Sequence, residues 1–168
     1  MKRLMFVALA LIFLGPVAAA QETSPPGTMA SRSGYFGVGL SGGYMMDPDM
    51  TSGMVSLDYY VTDEISVGPY FYGGGGEDDS FWGVAGQVKF SAPLASTPQV
   101  RPFAFAGIGF AELDFEHRKD DPERTYLFPV GGGMEFEIND VLTLEGTGVY
   151  HLTEDVFTGI MVGVRIIL

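Results

Sequence analysis

The sequence contains no cysteine and few cationic residues. Without cysteine, the single domain that 168 residues can form has neither a disulfide framework nor a thiolate metal site. Nine lysines and arginines stand against 21 aspartates and glutamates, and this acidic balance argues against a nucleic-acid partner, whose phosphates would be repelled. After Leu14 no continuous apolar run approaches the roughly 20 residues of a membrane-spanning helix. If the mature chain crosses a membrane, it must do so with strands.

The first residues have the composition of an export signal. Lys2 and Arg3 precede an apolar run over residues 4–14, and three alanines precede Gln21. We therefore expect a secretory signal peptide over residues 1–20, cleaved after Ala20. A short polar linker over residues 21–33 then leads into a barrel domain over residues 34–168.

Apolar side chains alternate with small or charged ones over most of the mature chain. In residues 127–137, for example, Phe128, Val130 and Phe136 share one face, and Glu135 and Glu137 share the other. A period of two is the spacing of a strand and not of a helix. The pattern predicts strands over residues 34–46, 54–61, 65–72, 81–90, 100–111 and 127–137, and two more on either side of a polar loop over 152–158.

The connections alternate between long polar loops and mostly short turns. Loops are predicted over residues 47–53, 73–80, 112–125 and 152–158, and the fourth connection, over 91–99, is a longer turn containing proline. Because register and face are linked, three-residue turns at 62–64 and 138–140 keep the apolar residues of both hairpins on one side. The second turn sets Phe136 opposite Leu142, and the same matching sets Leu144 opposite Ile166.

These features predict an all-β fold, an eight-stranded antiparallel up-and-down transmembrane β-barrel preceded by a cleaved signal peptide. Closure pairs the last strand with the first and leaves no free edge in the membrane. Aromatic residues at both ends of the strands predict two girdles around an apolar band, as membrane barrels have. One set is Tyr44, Phe71, Trp82, Phe110, Tyr126 and Tyr150, and the other is Tyr59, Phe90 and Phe136.

The export signal, the eight alternating strands, the stretch from Pro129 to Glu135 (PVGGGME) and the ending over 162–168 together resemble the small outer-membrane β-barrels of the OmpA/OmpX type. The resemblance implies an outer-membrane location with the long loops outside, contact with outer-membrane lipid and lipopolysaccharide, and insertion by the barrel assembly machinery. The last residue in that family is usually aromatic. Leu168 takes its place here, which implies weaker recognition by that machinery.

Seven charged residues fall on the inward face of the predicted barrel: Asp58, Lys89, Arg101, Glu135, Glu137, Glu145 and Arg165. The predicted registers bring Glu145 opposite Arg165 and place Arg101 near Glu135 and Glu137. Since an eight-stranded barrel is just wide enough for side chains to fill, we expect a salt-bridged plug. The alternative is a narrow channel that carries ions or protons along these charges.

His151 is the candidate for catalysis. With Thr153 and Glu154 it faintly resembles the His-x-Ser of outer-membrane lipid A deacylases, and a histidine beside a hydroxyl and a carboxylate can activate a nucleophile. Its parity, however, turns it inward opposite Gly159, as expected of an ordinary histidine at the barrel rim. We therefore expect a structural or surface-interaction protein and no enzyme, cofactor or metal centre.

Four further readings follow from the sequence. Gly37, Gly39 and Gly42 fit the spacing of a dinucleotide fingerprint but lie within one predicted strand, so they predict no nucleotide site. The acidic loop ends (Asp47 and Asp49, residues 77–79, residues 154–155) either bind divalent cations that bridge lipopolysaccharide or form a solvated rim. The loop over 112–125, the longest charged one, is the candidate for an extracellular partner. A soluble ligand-binding barrel of the lipocalin type is the remaining rival, and it would need the apolar parity inside.

Overall fold

The alternation of the sequence is realised as eight consecutive antiparallel strands. In the computed structural model, which describes residues 31–46, 49–76, 79–115, 123–152 and 157–168, they form a closed barrel. The strands are β1 (Phe36–Met46), β2 (Asp49–Tyr60), β3 (Ile65–Gly75), β4 (Asp79–Ser91), β5 (Val100–Phe115), β6 (Glu123–Glu137), β7 (Leu142–Leu152) and β8 (Phe157–Ile167). Each pairs with the next, and β8 pairs with β1 from Gly37↔Ile167 to Met45↔Gly159. The predicted eight-stranded antiparallel barrel is confirmed.

The apolar parity faces outward in all eight strands. Val162 on β8, Ile108 on β5 and Leu40 on β1 are 69%, 60% and 60% exposed. Neighbouring residues on the opposite parity, such as Met161 and Ser41, are buried inside the barrel. A soluble barrel would bury its apolar face, so the exposed bands fit a barrel surrounded by lipid and oppose the lipocalin alternative.

The strands extend further toward the loops than the apolar pattern predicts. Residues 49–53, 73–75, 79–80, 112–115 and 123–126, which were predicted as loop or loop end, continue the ladders. Met46 pairs with Asp49, for example, and Gly75 with Ser80. Once a strand leaves the hydrocarbon its outer face need no longer be apolar, although its backbone pairing continues. The sequence pattern therefore ends at the membrane boundary and the strand does not.

Two predicted registers at β7 are wrong by two residues. Phe136 pairs with Leu144 and not Leu142, and Ile166 pairs with Leu142 and not Leu144. A shift of two residues preserves the faces, so parity cannot detect it. Asn139 sets the register between β6 and β7, because its side-chain oxygen accepts hydrogen bonds from the backbone amides of Val141 and Leu142 at 2.9 and 2.8 Å. The turn therefore occupies residues 139–141.

The other connections at this end agree with their predictions. The amide of Val61 donates to the carbonyl of Ile65 at 2.8 Å, closing the turn over residues 62–64. The longer connection between β4 and β5 contains an isolated bridge, Leu94↔Thr97. We call the end of the barrel with these three connections the turn end, and the opposite end the loop end.

The glycines of β6 make room for rings from β5. A Cβ at Gly131 or Gly133 would collide with the ring of Phe105 or Phe103, respectively, and also with a carbonyl oxygen of β7. The two rings lie side by side, 6.4 Å between centroids. The glycine-rich part of the PVGGGME stretch thus permits close packing inside a narrow barrel.

Other sequence features are placed as follows. Gly37, Gly39 and Gly42 all lie within β1, as expected of glycines that do not form a nucleotide fingerprint. Within the described ranges, no helix is long and apolar enough to cross a membrane. The predicted signal peptide, residues 21–30 of the linker, Asp47, Thr153 and the acidic residues 77–78 and 154–155 lie outside the described residues.

Candidate functional site

Inward residues of β2 and β4–β8 bring the seven predicted charges together in the turn-end half of the lumen. Asp58, Lys89, Glu135, Glu145, Arg101 and Arg165 are each at most 6% exposed, and the Glu137 side chain is 12% exposed. The parity of each strand alone directs these side chains inward. We call this group, together with Arg32, the lumen charge cluster.

Arg165 lies at the centre of the cluster. Its guanidinium forms ion pairs with Asp58 and with Glu145, the latter at 3.0 Å from Nη2 to Oε2. The amide of Gln87 donates to the other oxygen of Asp58 at 3.1 Å. Glu145 was predicted to pair with Arg165 from a direct cross-strand position. The ion pair is present, although the residue opposite Arg165 on β7 is Thr143.

Lys89 links the two sides of the cluster. Its Nζ lies 2.7 Å from Oε1 of Glu135 and 2.9 Å from Oε2 of Glu145. The same ammonium lies 3.9 Å from the ring centroid of Phe103, within the range of a cation–π contact. A buried ammonium therefore has two carboxylates and an aromatic face in place of water.

The sequence analysis missed Arg32, which it assigned to the linker. Arg32 is 5% exposed and inserts into the turn-end mouth of the barrel. Its guanidinium lies 2.8 Å from Glu135 and 2.6 Å from Glu137, and 5.4 Å from the ring centroid of Tyr60. Arg101 reaches Glu137 at 3.5 Å, and it also donates to the carbonyl of Asp63. Of its two predicted acidic neighbours, Arg101 thus forms an ion pair with Glu137.

The segment around Arg32 is held by the turn between β2 and β3. One carboxylate oxygen of Asp63 accepts from the Ser31 hydroxyl at 2.7 Å, the Arg32 amide at 2.7 Å and the Ser33 amide at 3.0 Å. Partial burial acts to raise the pKa of Asp63, but these three hydrogen bonds and the nearby Arg101 outweigh it and hold the pKa below its ordinary value. We call residues 31–33 with Asp63 the N-terminal clamp.

Arg32 completes the charge balance of the lumen. The seven predicted residues comprise four carboxylates but only three cations, and Arg32 supplies the fourth. A buried charge without a partner is strongly unfavourable, so a balanced cluster is the stable filling for this space. The excess of one carboxylate among the seven predicted residues indicates that an eighth, cationic residue enters the lumen. The sequence does not identify Arg32 as that residue, because the polar linker has no strand periodicity.

The loop-end half of the lumen is filled by apolar and aromatic side chains. Its buried residues include Met45, Met50, Phe81, Leu113, Leu127 and Phe157. His151 on β7 and Tyr72 on β3 meet across the lumen, their rings stacked with centroids 4.5 Å apart. The Tyr72 hydroxyl lies where a side chain at Gly159 would begin, 3.2 Å from an ideal Cβ.

His151 itself does not form the predicted rim. It is 0% exposed, and it pairs with Phe157 and not with Gly159. Both ring nitrogens lack a hydrogen-bond partner among the described residues, so neither a hydroxyl nor a carboxylate described here activates it. Over the same residues, no group of three or more histidine, aspartate or glutamate side chains is arranged to hold a metal ion.

The fold and the lumen together define a class of protein: a membrane-spanning eight-stranded barrel with an apolar belt outside and a packed, charge-balanced interior. The profile of the outer membrane protein beta-barrel domain family matches residues 6–164. The chain therefore belongs to that family and is an integral protein of the outer membrane. In this family short turns face the periplasm, so the lumen charge cluster and the N-terminal clamp lie at the periplasmic end.

Solved structures of outer-membrane barrels share this fold. The N-terminal β-barrel domain of Pseudomonas aeruginosa OprF matches with a TM-score of 0.62 and 13% identity, covering 83% of this chain and 100% of that chain. Neisserial surface protein A matches with a TM-score of 0.61 and 12% identity, covering 82% and 99%. Ail, the attachment invasion locus protein of Yersinia pestis, matches with a TM-score of 0.54 and 15% identity, covering 80% and 97%. At these identities the likeness concerns the fold. Comparison with curated protein sequences gives no match.

Proposed function

We propose that the protein is a closed outer-membrane barrel, neither catalytic nor conducting, that acts through its extracellular end. The observation that carries the proposal is the filling of the lumen on two levels. Buried ion pairs occupy the periplasmic half, and packed methionine and aromatic side chains occupy the extracellular half. A channel would need a continuous polar path, and the apolar layer interrupts it.

Conductance in planar bilayers tests the closed state directly. The wild-type protein is expected to give no unitary steps, whereas a general porin inserted under the same conditions gives them. Reproducible small steps from the wild type, abolished by Lys89→Met in the cluster, would support the ion-path alternative instead.

Catalysis on outer-leaflet lipid through His151 conflicts with its position. The ring faces the lumen and is fully buried, while a lipid substrate lies against the outer surface of the barrel. Lipid A mass spectra from cells that express wild type or His151→Ala are expected to be identical. A modified species present only with the wild type would establish the enzyme.

The hairpin of β5 and β6 supports a surface-interaction role. With 16 and 15 residues these are the longest strands, against 11 to 13 for the other six. The ladder continues to the pair Leu113↔Glu123. Residues 116–122, which lie outside the described residues, include His117, Arg118 and Lys119 in the sequence. The longer strands carry the described ends of this hairpin further beyond the membrane than those of its neighbours, where a partner can reach them.

Adhesion of whole cells tests this role. Ail is named for attachment and invasion, and one of its structures contains the heparin analogue sucrose octasulfate, so immobilised heparin is a suitable first probe. We expect a variant with residues 114–122 replaced by an Asn-Gly turn to lose adhesion while it remains heat-modifiable on gels. Equal adhesion by both proteins would remove the hairpin from consideration.

Insertion by the barrel assembly machinery is part of the proposal. Depletion of that machinery is expected to remove the heat-modifiable form, which reports the closed barrel.

A further inference from the structure

Three aromatic side chains form a shelf on the outside of the barrel near its extracellular end. Trp82, Phe110 and Tyr126 lie on the adjacent strands β4, β5 and β6, with Phe110 and Tyr126 directly paired. They are 55%, 61% and 64% exposed, and the Phe110 and Tyr126 rings are 5.6 Å apart. Because they share the outward parity of the apolar belt, the shelf faces lipid.

A charged pair lies immediately beyond the shelf, toward the extracellular side. Glu112 and Arg124 are paired in register, and Nε of Arg124 lies 3.2 Å from Oε2 of Glu112. With the three rings they line a groove of about 540 Å³ on the outer surface. Within the described residues, Arg124 is the one lysine or arginine outside the lumen, and its side chain is 82% exposed.

The groove combines aromatic rings and an arginine at the depth of the outer-leaflet headgroups. Aromatic residues sit at membrane interfaces because one part of the ring system is apolar and the other tolerates water. Arginine offers a planar fork that matches the oxygens of a phosphate. The existing ion pair with Glu112 is exposed and therefore weak, so a phosphate can compete for the guanidinium.

We propose that this groove binds the phosphorylated headgroup of an outer-leaflet glycolipid, with Arg124 as the phosphate ligand and the aromatic shelf beneath the sugar and the first acyl carbons. The occupant is a lipid because the groove opens sideways into the membrane in which the family assignment places the chain. This inference rests on that assignment and is independent of any partner of the β5–β6 hairpin.

Trp82 is the single tryptophan of the chain, so its fluorescence reports on this groove alone. Refolded protein in a neutral detergent is titrated with diphosphorylated lipid A and, separately, with the same lipid after enzymatic dephosphorylation. The expected result is a saturable emission change with the phosphorylated lipid. For Arg124→Gln, the lipid concentration at half-saturation is expected to rise at least about tenfold. The reason is that the variant loses the charged, two-pronged hydrogen bonding of the guanidinium to the phosphate.

Two further variants separate a local site from overall charge. Glu112→Gln is expected to tighten binding, because it frees Arg124 and removes a repelling carboxylate. Asp140→Asn makes the same charge change in a periplasmic turn and is expected to have no effect. Arg124→Lys keeps the charge but not the fork, and is expected to lie between wild type and Arg124→Gln. Heat-modified gel mobility establishes that each variant is a closed barrel.

Three results would overturn the proposal. Equal titrations with phosphorylated and dephosphorylated lipid would mean that the groove holds only acyl chains. An unchanged lipid concentration at half-saturation for Arg124→Gln would show that Arg124 does not bind the phosphate. Equal tightening by Asp140→Asn and Glu112→Gln would attribute binding to the net charge of the protein and not to the groove.

Discussion

At the scale of single residues, the protein depends on charges that have no access to water. Arg165 is the clearest case, since its guanidinium contacts Asp58 and Glu145, and all three side chains are nearly or fully buried. Such a pair contributes little net stability relative to an apolar filling, but the loss of one partner leaves the other charge unpaired in a dry interior.

Replacement of Arg165 by methionine is therefore expected to destabilise the barrel by about 3–5 kcal/mol, because Asp58 and Glu145 lose their shared partner. The measurement is the urea midpoint of unfolding in lipid vesicles. Arg124→Met, which breaks an exposed pair, is the control and is expected to cost about 1 kcal/mol or less. Similar losses for both variants would mean that the lumen charges are solvated.

Asp63 gives a second prediction, which concerns pH. Its pKa is lower in the folded protein than in the unfolded chain, so its contribution to stability is complete above the unfolded value of about 4 and is lost as the pH falls through the lower folded value. The difference in thermal midpoint between wild type and Asp63→Asn is therefore expected to shrink as the pH falls below about 4. A difference that stays constant with pH would show that the clamp does not depend on the carboxylate charge.

At the scale of elements, β6 is limited by its neighbours on both sides. Gly133 lies so close to β7 that an added Cβ would overlap the carbonyl oxygen of Gly146, and the ring of Phe103 covers it from the lumen. Gly146, on the facing strand, points outward and has open space at the same position. Two glycines on paired strands therefore have different tolerance for a methyl group.

Gly133→Ala is expected to lower the yield of heat-modifiable barrel. It is also expected to lower the free energy of unfolding, measured by urea denaturation, by about 1–3 kcal/mol, the usual cost of overpacking. Gly146→Ala adds the same methyl group toward lipid and is expected to leave both quantities unchanged. Equal behaviour of the two variants would mean that β6 and β7 can separate without cost.

At the scale of the whole molecule, the barrel is closed twice by different means. The periplasmic half is closed by ion pairs and by Arg32, and the extracellular half by methionine and aromatic packing around Tyr72 and His151. The two closures are independent because they use different residues and different forces.

Arg32→Ala separates the two closures. It leaves Glu135 and Glu137 short of a cation, so the urea midpoint is expected to fall. The variant is nevertheless expected to give no conductance steps in planar bilayers, because the extracellular layer is intact. Steps from this variant alone would make Arg32 the single gate of the lumen.

The sequence predicted the barrel, its inward and outward faces and the seven members of the charge cluster that lie within strands. All of these follow from a period of two, which is a local property of each strand. The strand registers at β7 could not be predicted in this way, because a shift of two residues leaves every side chain on the same face of the sheet. The position of the turn is set instead by hydrogen bonds from two backbone amides to Asn139. Arg32 did not follow either, since it reaches the lumen from a segment without alternation.

The position of Arg32 has a consequence for the order of assembly. The strands can close around three cations and four carboxylates, but the interior becomes neutral only when residues 31–33 fold back onto Asp63. We therefore expect this segment to dock late, from the periplasmic side, after the strands have entered the membrane. After docking, the Arg32 side chain is buried against Glu135 and Glu137, whereas before docking it is free in the periplasm. Trypsin is therefore expected to cleave after Arg32 more slowly in a finished barrel than in an unfinished one.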